Sequence, residues 1–538
     1  MPAFRLSVPR LAFPRLTLPR LAFRPLVSLS LAFRPLAAFV VLALLVPLAL
    51  VEPPPLLDWP NHLARGWLLA GGMDDPFLAR VYAPRWAVIP NLATDMLLPP
   101  LLGVLPLPLA GGAVLALAVL LPVLGAVAYG RAVTGERSAW PLGAALVAYN
   151  GALLLGFINF AIALGLALLL AAGWVRWRSN PLAIPLVIPL VIPLACAGAA
   201  VLFLCHLAGL AVFLLLLAAH EGRAAWTGRR RPAALLVRLL AVLPVVAVPA
   251  ALYAVSPLGP MAPAPAWGTA ADKAAAVFLP FLGYWLPLDI ASAAVAGLVL
   301  LSGLRRAPPE GKLALAVLAL LFMLAPAEAK GGEHLDARFA VAFVFVAFAV
   351  ARPAVAPRTL AALLAIVFML RLGLLAGAWL DYRHDLAAFR AVIAAVPPGS
   401  RVFVAGVSPA EAPAYWRAAP RARRLADGTP MDAQLAALLP IERRAFWPFQ
   451  FDNESQQPIA TLPPFRDLAL RVGAMPDSAA LADPGRLCGF DYALLMDARG
   501  APPPGLPPVA DSAIATLYRL PPCLPLQPAP WDPSGPAP

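Results

Sequence analysis

The chain has 538 residues, of which 61% are hydrophobic and only 13% charged, and its mean hydropathy is +0.79. A water-soluble globular chain is about half apolar and about a quarter charged, so this composition excludes an ordinary soluble protein. The formal charge of +13 resides in arginines clustered between apolar runs, with no basic-aromatic face, which argues for membrane topology and against a nucleic-acid partner.

Residues 1–35 repeat a short Pro-Arg-Leu unit and carry Arg5, Arg10, Arg15, Arg20, Arg24 and Arg34 without an acid. Repeated prolines prevent a continuous helix, so this stretch reads as a basic cytoplasmic tail that touches anionic headgroups. Apolar runs able to cross ~30 Å of hydrocarbon then fall at about 36–52, 112–129, 140–157, 158–175, 183–203, 205–220, 233–253, 286–303, 312–328, 338–351 and 358–379. The expected architecture is an α-helical polytopic membrane protein of about eleven transmembrane helices over 36–380, with a long first outer loop at 53–111.

The segment 92–110 is apolar but broken by four prolines, and charge decides its reading. If it does not span, five basic loops face the cytoplasm, carrying Arg131 and Arg137, Arg176 and Arg178, Arg223 with Arg229 to Arg231, Arg305 with Arg306 and Lys312, and Arg352 with Arg358. If it spans, all five face outward, against the positive-inside bias. It therefore reads as a re-entrant or interfacial segment.

An odd number of spans places residues 381–538 outside a bacterial plasma membrane. There the composition turns polar, and RVFVAGV, FDYALLMDA and ATLYRL read as strands of a small α/β domain over 381–525. The last residues, 526–538, read as disordered. Cys488 and Cys523 lie beside two of those strands, where an oxidising compartment would let them pair. Cys196 and Cys205 read as packing residues.

Polar groups near lipid cost free energy, so they mark candidate sites. In the first loop, a helix from about Pro60 to Leu69 stacks Asp58, His62 and Arg65 on one side at spacings of four and three. Asp58 and His62 read as catalytic groups able to activate a hydroxyl, with Arg65 binding substrate, and helix capping by Asp58 stands as the alternative. Asp95 enters an apolar stretch, needs a partner, and joins the catalytic candidates. The late loop EAKGGEHLDARF supplies Lys330, His334 and Arg338 as substrate-binding candidates, the two cations suited to clamping a phosphate. His206, inside FLCHLAGL, reads as hydrogen-bonded within the bundle, and Asn150 and Asn159 read as interhelical hydrogen-bonding groups. No spacing defines a metal site, and a divalent-cation requirement stays open.

The acid just after the first span in LLDWPNHLAR, the long outer loop, and the basic loop before the late span HLDARFAVAFVFVAF together resemble the GT-C superfamily of integral-membrane glycosyltransferases. The resemblance covers residues 36–379 and is architectural. It implies a polyprenyl-phosphate-sugar-dependent enzyme that passes a sugar to an extracytoplasmic lipid, glycan or protein acceptor. It also implies that Asp58 is the base and that Arg338 holds the lipid-linked phosphate, with His62, Asp95, Lys330 and His334 in support. The expected partners are a lipid-linked sugar donor and membrane lipids. Two other functions stay open: a transporter or flippase, and a non-catalytic envelope assembly protein.

Overall fold

The computed structural model describes residues 33–178, 184–229, 232–258, 264–354, 356–406, 423–496 and 505–523. Most of the expected basic tail and the closing segment 526–538 lie outside these residues. The described chain is mostly helical, with a small strand-containing region towards its C-terminus.

Helix α1 (Phe33–Leu45) continues as a 3-10 turn, Pro47–Ala49, into the first loop. That loop holds α2 (Trp59–Leu69), the four-residue α3 (Leu78–Val81) and the strand β1 (Tyr82–Pro84). Asp75 opens α3 by accepting from the amides of Phe77 and Leu78. The proline-rich segment forms a ten-residue helix, α4 (Ala93–Leu102), and a turn before α5 (Leu107–Thr134). Ten residues rise about 15 Å, half of the hydrocarbon thickness.

The structure differs from expectation at 140–157. In place of one continuous span, an eight-residue 3-10 helix (Trp140–Val147) is followed by the single-turn α6 (Gly151–Leu154). Asn150 caps α6 through the Leu153 amide, so it serves its own chain and not a neighbouring helix. The remaining helices are α7 (Ile158–Arg178), α8 (Ile184–Cys205), α9 (Leu207–Thr227), α10 (Pro232–Val255), α11 (Ala270–Phe278), α12 (Leu286–Leu304), α13 (Pro309–Leu324), α14 (Leu335–Val350) and α15 (Pro357–Ile393). Among the described residues six helices, α5, α7, α9, α10, α12 and α15, are long and apolar enough to cross a membrane. The stretches Phe33–Ala49 and Leu190–Cys205 are apolar but shorter.

Helix α7 is the centre of the bundle, with 78% of its most apolar stretch buried, whereas α10 has 17% buried and turns Leu236, Leu239, Leu240 and Leu243 outward. Small residues let α5 and α7 touch: a Cβ at Gly165 would fall 2.4 Å from Leu121, and one at Gly125 would fall 2.8 Å from the Gly165 carbonyl oxygen.

Helix ends sort into two layers. In one, the Leu92 amide bonds the Leu204 carbonyl, the Thr94 amide bonds Asn159, and Arg338 meets His206. In the other, Arg352 pairs with Glu136 and bonds the Thr134 carbonyl, while Glu221 gathers Arg178 and Arg238. Helices α5, α7, α9 and α14 therefore run in one sense from the first layer to the second.

Helix α15 continues through residue 381 to Ile393 and carries the chain into the C-terminal region. There β2 (Val402–Ala405), β4 (Tyr492–Met496), β6 (Ala515–Arg519) and β5 (Pro508–Asp511) form a four-stranded sheet in that order, with β2 parallel to β4 and the other pairs antiparallel. The strands expected from RVFVAGV, FDYALLMDA and ATLYRL are β2, β4 and β6. Around the sheet lie α16 (Leu438–Arg443), α17 (Phe465–Val472) and α18 (Pro484–Leu487). Cys488 and Cys523 form a disulfide. The strand β3 (Ile459–Thr461) pairs with β1, so the first loop and the C-terminal region share a sheet.

Candidate functional site

The first layer of helix ends concentrates the polar groups. Helix α2 starts the site. Pro60 fits its first turn, where a missing N–H costs nothing, and Asp58 stands at the N-cap position. The Asp58 side chain makes no cap hydrogen bond, so the capping alternative is not realised. Nearly every residue of α2 is buried, because α4 covers it on one side and the C-terminal region on another. That cover is specific. Asn61 donates to the Phe449 carbonyl and to Gln434 Oε1, and its Oδ1 accepts from Gln450 Nε2 at 2.6 Å and the Phe451 amide at 2.9 Å. The Phe451 ring then meets the His62 ring edge-on at 6.1 Å.

One turn below Asn61, Arg65 grips Asp95 in a two-pronged ion pair, Nε–Oδ1 2.5 Å and Nη2–Oδ2 2.9 Å, with both side chains fully buried. Asp95 thus has the partner that an acid in an apolar stretch requires. The same Nη2 reaches His62 Nδ1 at 3.0 Å. Burial and the Arg65 charge push the His62 pKa well below its ordinary value, so the ring is neutral. Both side chains are fully buried and spent on each other, with only Arg65 Nη1 lacking a hydrogen-bond partner. The expectation that Asp95 is catalytic and Arg65 substrate-binding gives way to a positioning role, in which they fix α2 against α4. Asn159, at the start of α7, braces the same corner through the Asn91 carbonyl, the Asn91 side chain and the Thr94 amide, an interhelical role as expected.

Asp58 behaves differently. Its amide bonds the Leu155 carbonyl, and the turn that follows presses directly against it. Gly156 sits at φ +91, and a Cβ there would lie 2.7 Å from Asp58 Cβ, so this position requires glycine on both counts. The next residue, Phe157, lies under the Arg338 guanidinium at 4.6 Å and beside the His334 ring at 5.9 Å. A tight turn thereby links Asp58 to Arg338, although 280 residues separate them. The Asp58 carboxylate accepts no hydrogen bond among the described residues. Burial, and then the charge of Glu333, raise its pKa to about 7, with Arg338 and Arg65 opposing that rise. Glu333, Arg338 and Arg65 are all close enough for their charges to reach it.

Arg338 is 8% exposed, on the first turn of α14. Its polar contact is His206 Nε2, 3.1 Å from Nη1, and its Nε is buried without a partner. His206 was not among the expected site residues. It reads in sequence as a lone histidine in an apolar run, and the structure does hydrogen-bond it within the bundle, where its Nδ1 accepts from the Ala208 amide. Gly156 and Phe157 gave no signal either, because they look like the middle of an apolar hairpin. Lys330 occupies a left-handed position in the late loop, and its carbonyl accepts from Gln456 of the C-terminal region at 2.6 Å. Asp336 turns away to Lys273 at 2.7 Å, which staples α11 to α14.

A second polar cluster lies between α1, α12 and α15. Arg371 pairs with Asp289 at 2.6 Å and also donates to the Tyr149 and Leu282 carbonyls, while the Gly283 amide donates to Asp289. It lines a mostly apolar recess with Leu44, Leu288, Phe368 and Leu372. Among the described residues no three His, Cys, Asp or Glu side chains are grouped to hold a metal ion. No family model, curated protein or solved structure matches the chain.

Proposed function

We propose that the protein is a membrane glycosyltransferase that moves a sugar from a polyprenyl-phosphate donor to an acceptor hydroxyl at the outer membrane face. One observation carries this reading. An unbonded, half-buried carboxylate with a pKa near neutral, Asp58, lies within charge reach of a buried guanidinium, Arg338, that has no carboxylate partner among the described residues. A base and an anion holder are the two groups the transfer needs, because the lipid phosphate is already an activated leaving group.

In the reaction Asp58 takes the proton of the acceptor hydroxyl, and that oxygen bonds to the anomeric carbon. The bond from that carbon to the phosphate oxygen breaks, and its electron pair leaves on the phosphate, which Arg338 stabilises. The sealed His62–Arg65–Asp95 cluster holds α2, and with it Asp58, in place.

Eleven crossings and a cytoplasmic N-terminus accompany the proposal, with 140–157 crossing as a broken helix. The layer opposite the site supports this orientation: among the described residues Arg131, Arg137, Arg176, Arg178, Arg305, Arg306 and Lys312 lie there with only Glu136, Glu221 and Glu310 against them. The Cys488–Cys523 bond supports an oxidising compartment for the C-terminal region, which fits the outer side of a bacterial plasma membrane.

The test is transfer by the purified protein supplied with polyprenyl-phosphate sugars, read as release of polyprenyl phosphate. Asp58→Asn should keep donor binding and lose about 10²–10⁴-fold in rate, whereas Arg338→Gln should weaken donor binding. Release at wild-type rate by both variants overturns the proposal.

A further inference from the structure

We infer that His206 is a phosphate-binding residue, its imidazole N–H and the Arg338 guanidinium forming a two-sided cradle for a phosphate ester. The inference deepens the reading of Arg338 as the phosphate holder and rests on it.

The argument is one of proton accounting. A neutral imidazole has one nitrogen that accepts and one that donates, and an arginine only donates. His206 caps α9: its Nδ1 accepts from the Ala208 amide at 3.1 Å, a donor whose proton has no other place. The ring proton therefore sits on Nε2. That nitrogen faces Arg338 Nη1 at 3.1 Å, so a donor meets a donor. Neither group satisfies the other.

Two more features point the same way. Arg338 Nε is buried with no partner, although the residue keeps 8% of its surface exposed. Phe157 covers one face of the guanidinium and Phe160 packs edge-on to the His206 ring at 5.7 Å, which holds both groups in place without supplying an acceptor. The positive end of α9, 21 residues long, lies at the same point. The acceptor that suits both donors at once is an anion with several oxygens. A phosphate ester accepts from both side chains at once and turns a repulsive contact into two charge-assisted bonds.

The full-length protein in detergent is titrated with farnesyl phosphate, inorganic phosphate and, as the uncharged control, farnesol. Wild type should bind farnesyl phosphate and not farnesol, and competition by inorganic phosphate shows how much of the affinity is headgroup. Saturation by inorganic phosphate alone would assign the same cradle to free phosphate. His206→Asn keeps the helix cap, since asparagine is a good N-cap residue, but removes the Nε2 donor. It should fold normally and bind farnesyl phosphate about tenfold more weakly or worse. His206→Phe keeps the ring packing and should lose a similar factor. With ¹⁵N-histidine, the His206 Nε2–H resonance should shift on phosphate addition.

Unchanged affinity in both variants, or no phosphate binding by wild type, overturns the inference. Wild-type binding that ignores His206 leaves Arg338 and the transfer reading standing. Binding that depends on His206 in a protein whose donor turnover ignores Asp58 upholds the cradle and defeats the transfer reading.

Discussion

Charged groups are buried in two ways in this bundle, and the contrast separates scaffold from site. Arg65–Asp95 and Arg371–Asp289 are closed ion pairs in which each carboxylate receives a guanidinium at 2.5–2.6 Å. Asp58, half-buried, and Arg338, buried, lie in the same layer of helix ends, within reach of each other's charge, yet among the described residues neither has a partner of opposite sign in hydrogen-bond contact. Removing a charge from water costs several kcal/mol unless it is paired. A fold that closes two such couples as ion pairs and leaves a third open is holding the third for something that arrives from outside. The closed pairs set the cost of keeping Asp58 and Arg338 where they are.

The largest effect should come from a closed pair. Asp95→Ala strands Arg65 in a dry interior and should cost about 3–5 kcal/mol, read as a lowered unfolding midpoint in detergent. Asp58→Asn should cost nothing in the same measurement, and equal losses for the two would erase the distinction drawn here. Next, Gly156→Ala forces a side chain into a left-handed backbone and against Asp58. It should cost about 1–3 kcal/mol and reduce transfer more than its loss of stability accounts for. A smaller effect, about 1–2 kcal/mol, is expected for Asn61→Ala, which removes the hydrogen bonds that hold residues 449–451 on α2. Amide exchange in that segment should quicken while the helices stay protected.

The last effect is read only as a pH slope. The Asp58 pKa rises on folding from 3.8 to about 7, so folding favours the protonated form. The stability this contributes is complete below the unfolded value and is lost as pH climbs through the folded one. Asp58→Asn should flatten that part of the stability curve and leave the protein more stable above neutral pH.

Much of the site was written locally. The spacing of Asp58, His62 and Arg65 at four and three gives the shared side of α2, Pro60 marks its start, and the demand of an acid in apolar surroundings announces a partner for Asp95. The strands β2, β4 and β6 follow from their short apolar runs and bounding turns. What could not be read is what long-range packing supplies. That Arg65 goes to Asp95, 30 positions away, is decided by α4 folding back on α2. Gly156 and Phe157 join Asp58 to Arg338 only because the chain turns there. His206 looked like any lone histidine until its two neighbours fixed its proton. The break at 140–157 is not legible in the sequence because a 3-10 stretch and a helix carry the same apolar composition.

The most direct test of the central claim, that an unpaired Asp58 is the base, is the pH dependence of kcat/KM for sugar transfer. The account predicts a rise through about pH 7 to a plateau, where the carboxylate is charged, and no such rise in the residual activity of Asp58→Asn. A wild-type profile that stays flat across neutral pH, or one that Asp58→Asn leaves unchanged, would contradict it.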